Sequence, residues 1–190
     1  CMAASVMVGV DKVQHIIDRM VEFSKTVVPG ENLGSVISKS AKERIEGYID
    51  QAEKDGATIL VDGRGTVVQG KEGGYYVGPT IIDHVTPEMS VANEEIFGPV
   101  ISIIRAKDID EAITIENSSN YGNAAAVFTQ SGKLAKEIME RASAGMIGVN
   151  IGVPVPREPF SFGGWNESKF GVGDITGRSS VEFWTQNKKT

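Results

Sequence analysis

Cys1 is the only thiol in the sequence, so any covalent sulfur chemistry must begin there. Two readings compete at this position. An isolated free cysteine commonly serves as a small buried hydrophobe. The alternative is a thiolate nucleophile, which needs an electropositive setting such as the amides at a helix start. The helix-compatible MAAS that follows lets Cys1 stand at such a start, and the residue alone does not choose between the two. NEEIFGPV (93–100) is the most unusual internal string. Glu94 and Glu95 are adjacent, so their side chains diverge and cannot form a general acid–base pair. One reading makes the string a solvated turn before a buried strand. In the other, one carboxylate accepts hydrogen bonds from a diol such as a ribose. Phe97 then offers a flat apolar wall to a heterocycle, placed by the rigid Gly98–Pro99 exit. GVGDITG (171–177) has the glycines of a phosphate cradle but neither follows a buried strand nor opens a helix, so it fails the context of that fingerprint. It is expected to be a flexible surface loop. Trp165 and Phe170, in GGWNESKFG (163–171), read as loop anchors. His15 and His84 are the only histidines, and with one cysteine they offer no zinc-ligand spacing.

The elements that must position these residues alternate in type. SVMVGV (5–10) is a short β-branched strand, followed by a helix with Val13, Ile16, Ile17, Met20, Val21 and Val27 on one face and a stop at Pro29–Gly30. Ser40 is placed to cap a second helix whose stripe is Ile45, Tyr48, Ile49 and Ala52, with Gly56 as its terminating glycine. Strands are expected over 57–63, 75–85 and 97–106, the second bent or set at a sheet edge by Pro79. A helix follows over 108–120 with Asp108 as its cap, then a strand (124–130), a helix (131–145) and a strand (146–153). Residues 152–173 cluster Gly, Pro and aromatics, as in a surface loop. SSVEFWTQNKKT closes the chain with a short helical turn and an outgoing strand. This order implies an α/β fold: an open, mostly parallel sheet with helices on both faces.

A formal charge of −6 and a pI near 5.0 leave no basic surplus to neutralise phosphates, which excludes nucleic acid as a default partner. The apolar runs are too short for a membrane span, and no signal-peptide pattern is present. A lone cysteine suits a reducing compartment, so a soluble cytoplasmic protein is expected. Order and composition alone leave room for a non-catalytic α/β domain used for assembly or nucleotide binding.

Taken together, the motifs resemble one family. NEEIFGPV resembles the EEIFGPV signature of the NAD(P)-dependent aldehyde dehydrogenases, and CMAA resembles the segment that begins at that family's catalytic cysteine. GMIGVN (145–150) and FSFGGWNESKFG (160–171) resemble its late substrate-pocket segments, and the order of all four fits. CMA together with NIGVPVPREPFSF (150–162) is most similar to the CoA-acylating branch that oxidises semialdehydes. The resemblance implies Cys1 as catalytic nucleophile, Glu95 on the nicotinamide ribose, Phe97 beside the nicotinamide, and Asn150 and Phe162 along the substrate tunnel. It implies NAD as cofactor and coenzyme A as co-substrate. It also implies a small aldehyde as substrate and a homo-oligomer, dimer or tetramer, when full length. A hydrolytic member acting on another aldehyde is the alternative within the family. On this likeness, residues 1–180 are a catalytic domain and 181–190 the start of an oligomerisation segment. The chain is then a piece that starts at the nucleophile, lacking the nucleotide-binding domain and inactive alone.

Overall fold

The computed structural model describes residues 3–190. They form two compact units, one over 5–112 and one built on 113–190.

In the first unit, β1 (Val6–Val10), β2 (Thr58–Val61), β3 (Thr80–Asp83) and β4 (Val100–Ala106) make one sheet in the order β1-β4-β3-β2. β4 is central and pairs in parallel with both β1 and β3. Its VISIIRA run is nearly continuous in apolar residues, as expected of a strand covered on both faces. β2 runs antiparallel to β3, with a register shift between Ile59 and Val61. The reason lies in the connections. No helix separates β2 from β3, whereas a parallel pair needs a long crossover, and residues 84–99 supply one between β3 and β4.

Helix α1 (Gln14–Ser24) packs Val13 and Ile17 against Ile81 and Ile103 on one face of the sheet. Side chains alternate along a strand, so Ser102 points to the opposite face. There its fully buried hydroxyl donates to the carbonyl of Val91 at 3.0 Å, which lies in the four-residue helix α3 (Ser90–Asn93). Helix α2 (Lys39–Lys54), with Ile45, Ile49 and Ala52 buried, packs beside α3. Helices therefore cover both faces, as expected.

The α2 cap is Ser38, not Ser40: the Ala41 amide donates to Ser38 Oγ at 3.1 Å. Ser40 stands inside the helix and its hydroxyl meets that of Ser38. Ser38→Ala should therefore cost about 1 kcal/mol, while Ser40→Ala should cost only a few tenths. Urea midpoints of the two variants check this; equal losses would return the cap to Ser40. Asp108 does cap α4 (Ile109–Asn117), its carboxylate accepting from the Glu111 amide at 2.9 Å.

At the far end of β3, the Asp83 side chain is 3% exposed and is held by Arg105 of β4, whose Nε and Nη2 donate to its two oxygens at 3.0 and 2.6 Å. The His84 amide adds a third hydrogen bond at 2.7 Å. Burial pushes this carboxyl up, but the Arg105 and His84 hydrogen bonds and the Arg105 charge outweigh it and hold it below its ordinary value.

In the second unit, β6 (Ala124–Val127) and β7 (Met146–Val149) pair in parallel around α5 (Gly132–Arg141). The two-residue strands β5 (Tyr121–Gly122) and β8 (Trp165–Asn166) form a small antiparallel ladder. The backbone of Trp165 ties the 152–173 loop to β5, but its ring is 53% exposed and that of Phe170 85% exposed, so neither aromatic is the buried loop anchor that the sequence context implies. Residues 171–177 do form a loop, but it is tied: the Asp174 amide donates to Ser179 Oγ at 3.2 Å, and that hydroxyl donates back to the Asp174 carboxylate at 2.9 Å. A short helix, α6 (Ser180–Trp184), follows, and the expected closing strand is absent: residues 185–190 have no regular structure. Among the described residues no helix is long and apolar enough to cross a membrane. No group of His, Cys, Asp and Glu among them could hold a metal.

Candidate functional site

The NEEIFGPV string forms the segment between α3 and β4, and its residues alternate in role. Glu94 leaves α3 in an extended conformation, its amide still bonded to the Ser90 carbonyl at 2.8 Å. Ile96 is 3% exposed and anchors the segment, while Glu95 is exposed and Phe97 is 68% exposed. An aromatic ring this open, on a segment whose neighbour is buried, is held outward by the backbone rather than left out of a core. Phe97 sits at φ +57, a left-handed conformation uncommon for a bulky residue and sustained only where the surroundings fix it. Gly98 follows because nothing larger fits: a Cβ there would lie 2.8–2.9 Å from three side-chain carbons of Ile45.

The carboxylate of Glu95 makes no hydrogen bond or ion pair among the described residues; only its backbone carbonyl is engaged, by Arg44 Nη1 at 3.4 Å. The Glu94 carboxylate is occupied, accepting a hydrogen bond from the Tyr48 hydroxyl. That bond, burial and the Glu94 charge raise the Tyr48 pKa, against a smaller opposing effect of Arg44. The two adjacent acids thus have separate jobs. One is consumed by the fold, and the other is a free two-oxygen acceptor next but one to an exposed ring. A diol carried by a planar heterocycle fits such a pair, so the residues present are compatible with the ribose and nicotinamide of NAD.

Arg44, Gly47, Tyr48, Gln51, Ser90 and Glu94 line an open cleft of about 310 Å³ beside this segment. A larger one, about 430 Å³, runs along α1 past Ile16, Met20, Phe23 and Ile81. Its walls are apolar apart from Arg19 and Ser24, with no nucleophile or acid, so it is not the place for this chemistry.

The remaining expected site residues fall elsewhere. Asn150 ends β7 at φ +55. Its amide oxygen accepts from the Thr129 amide at 2.9 Å, and its nitrogen donates to the Thr129 carbonyl at 3.0 Å. Both polar ends of the side chain are therefore spent on closing the β6–β7 ladder. Phe162 is half-buried, with its amide donating to Thr176 Oγ1 at 3.0 Å. These two lie in the second unit, while Glu95 and Phe97 lie in the first. Cys1 lies outside the described residues.

Two residues that the sequence did not point to hold the segment. Tyr48 reads as part of the apolar stripe of α2, and Arg44 carries no signal of its own in the sequence. Only their placement against a string some 46 residues away along the chain gives them a role, and nothing local signals it.

The sequence profile of the aldehyde dehydrogenase family matches residues 1–190, and the chain belongs to that family. The malonate-semialdehyde dehydrogenase 2 of Bacillus thuringiensis (strain Al Hakam) is 44% identical over 196 residues, covering 99% of this chain and 40% of its own length. Among solved structures, the methylmalonate-semialdehyde dehydrogenase of Oceanimonas doudoroffii aligns with a TM-score of 0.90 at 38% identity, over 96% of this chain and 39% of that one. The NAD+ complex of an aldehyde dehydrogenase from Bacillus cereus aligns at 0.84 and 30% identity, over 96% and 37%. The chain thus spans about 40% of the length of the curated relative it matches.

Proposed function

We propose that this chain is the cysteine-bearing part of an NAD-dependent, CoA-acylating semialdehyde dehydrogenase acting on malonate or methylmalonate semialdehyde. The observation that carries the reading is the free Glu95 carboxylate beside the exposed Phe97 ring, in a chain of this family whose lone thiol is Cys1. The relatives named malonate- and methylmalonate-semialdehyde dehydrogenase support the substrate class.

In this reading the Cys1 thiolate adds to the aldehyde carbon and forms a hemithioacetal. NAD, when bound, supplies the acceptor for the hydride that leaves that carbon, and a thioester remains on Cys1. The thiol of coenzyme A then takes the acyl group, releasing Cys1. Glu95 accepts from the two ribose hydroxyls, and Phe97 lies against the nicotinamide ring. Asn150 fixes the turn that leads into the 151–162 segment, and Phe162 lines the acyl path. A nucleotide-binding portion completes the site, the full-length enzyme is a cytoplasmic homo-oligomer, and residues 1–190 alone oxidise no aldehyde.

The test is NADH formation by the full-length enzyme from malonate semialdehyde, with and without coenzyme A. Turnover that requires coenzyme A and yields acyl-CoA supports the reading. Equal turnover without it makes water the acyl acceptor and the enzyme hydrolytic. Glu95→Gln should slow hydride transfer on the order of 10²-fold, because misplacement of a reacting group by about 1 Å costs that much. Stopped-flow absorbance reads it; an unchanged rate would assign Glu95 to a solvated turn.

A further inference from the structure

We infer that Tyr48 is a positioning residue: by binding Glu94, it sets where Glu95 stands. This rests on the reading that Glu95 takes the ribose diol.

The geometry points to Tyr48 because the Glu95 side chain has no partner of its own among the described residues, so its position follows from the backbone of 94–98. Buried Ile96 roots the middle of that backbone, and α2 pins it before and after the outward-facing residues. The Tyr48 hydroxyl binds the Glu94 carboxylate just before Glu95. Arg44, one turn earlier, donates to the Glu95 carbonyl at 3.4 Å, and its guanidinium lies 5.8 Å from the Tyr48 ring centroid. Ile45 abuts Gly98 just after Phe97. The pinned points therefore fall on either side of the two residues that face outward.

The segment needs such support. Helix α3 is a single turn of four residues, too short to be stable by itself. Phe97 is in a strained conformation that relaxes unless its neighbours hold it. Of the three contacts, Tyr48–Glu94 is the strong one: a hydroxyl donating to a charged carboxylate binds about twice as strongly as a neutral pair. The Arg44 contact is long, and Ile45 only limits how closely Gly98 approaches. Had Tyr48 served only to cover the core, its ring would suffice and its hydroxyl would be free to face water.

The test is made on the full-length enzyme with Tyr48→Phe, Glu94→Gln, Glu95→Gln and the double variant Tyr48→Phe/Glu95→Gln. NAD dissociation constants from protein fluorescence quenching are measured together with kcat and melting temperature. Tyr48→Phe keeps the ring and should raise the NAD dissociation constant about tenfold, with a far smaller change in melting temperature. Glu94→Gln retains an acceptor without its charge and should fall between wild type and Tyr48→Phe. Because Tyr48 acts through Glu95, the double variant should bind NAD no worse than Glu95→Gln alone. Unchanged NAD binding in Tyr48→Phe, beside impaired binding in Glu95→Gln, overturns the positioning role and leaves the ribose reading standing. Multiplying effects in the double variant overturn it as well. If Glu95→Gln binds NAD and transfers hydride normally, the ribose reading falls and the role of Tyr48 falls with it. Should Tyr48→Phe fail to fold, Glu94→Gln in the Glu95→Gln background makes the same comparison with all packing kept.

Discussion

Cys1→Ala in the full-length enzyme should abolish aldehyde oxidation while leaving NAD binding intact. The proposed chemistry stores the acyl group on sulfur, and no other thiol in this chain can hold it. Removing a covalent nucleophile typically costs about 10³-fold or more, because the reaction loses its two-step route and not merely one stabilising contact. The cofactor contacts assigned to Glu95 and Phe97 involve no sulfur, so the dissociation constant for NAD should be unchanged. Two measurements check this: NADH formation with malonate semialdehyde, and fluorescence quenching by NAD. Wild-type enzyme given aldehyde and NAD without coenzyme A should also carry the acyl mass on the peptide that contains Cys1. Retention of more than a few per cent of the activity by Cys1→Ala would remove the nucleophile assignment.

The second large effect concerns the sheet. Arg105→Ala should destabilise the fold by about 3–5 kcal/mol near neutral pH, because it strands the buried Asp83 carboxylate without its cation. The dependence on pH follows from the direction of the Asp83 shift. In the wild type the folded-state pKa lies below the ordinary value. The pair's contribution is therefore complete above the unfolded pKa of about 3.9 and is lost as pH falls through the folded one. In Arg105→Ala the guanidinium's hydrogen bonds and charge are gone, so the folded pKa rises above that of the wild type. The penalty in the variant is then full at neutral pH and fades as acid protonates Asp83. The gap between the two urea midpoints should narrow from pH 7 toward pH 4. A gap independent of pH would mean that Arg105 stabilises by packing its stem rather than by charge.

Sequence patterns located most of the sheet because β4 is apolar on both faces and the α1 stripe keeps helical spacing; both are local periodicities. The antiparallel course of β2 was not legible: TILV has the same composition in either direction, and only the lack of a crossover helix before β3 decides it. Ser38 and Ser40 are equivalent as residue types, and the cap fell to the one whose extended backbone aims its hydroxyl at the Ala41 amide. The closing strand failed for want of a partner: FWTQNKKT has β-compatible residues but no described neighbour to pair with. In the proposed site, Glu95 and Phe97 were singled out because the string that holds them is distinctive. Tyr48 was hidden by its own amphipathic character, since a phenol at a stripe position looks like core until its hydroxyl finds a distant acid. The Asn150 side chain was hidden differently. Its amide bonds to Thr129 span two strands, and no local spacing encodes such a clasp.

The hydrogen bond from Ser102 to Val91 has a thermodynamic consequence. Loops that carry binding groups are usually drawn from the low-stability end of a protein, opening locally with little effect on the rest. Here the helical turn that launches the Glu94–Gly98 segment is fastened to a wholly buried hydroxyl on the central strand. Freeing that turn leaves Ser102 unsatisfied in the interior, a loss of about 1–3 kcal/mol before any strand pairing is disturbed. Opening of the segment is therefore coupled to the sheet, and its outward-facing residues are more persistent than those of a loop held only at its own ends.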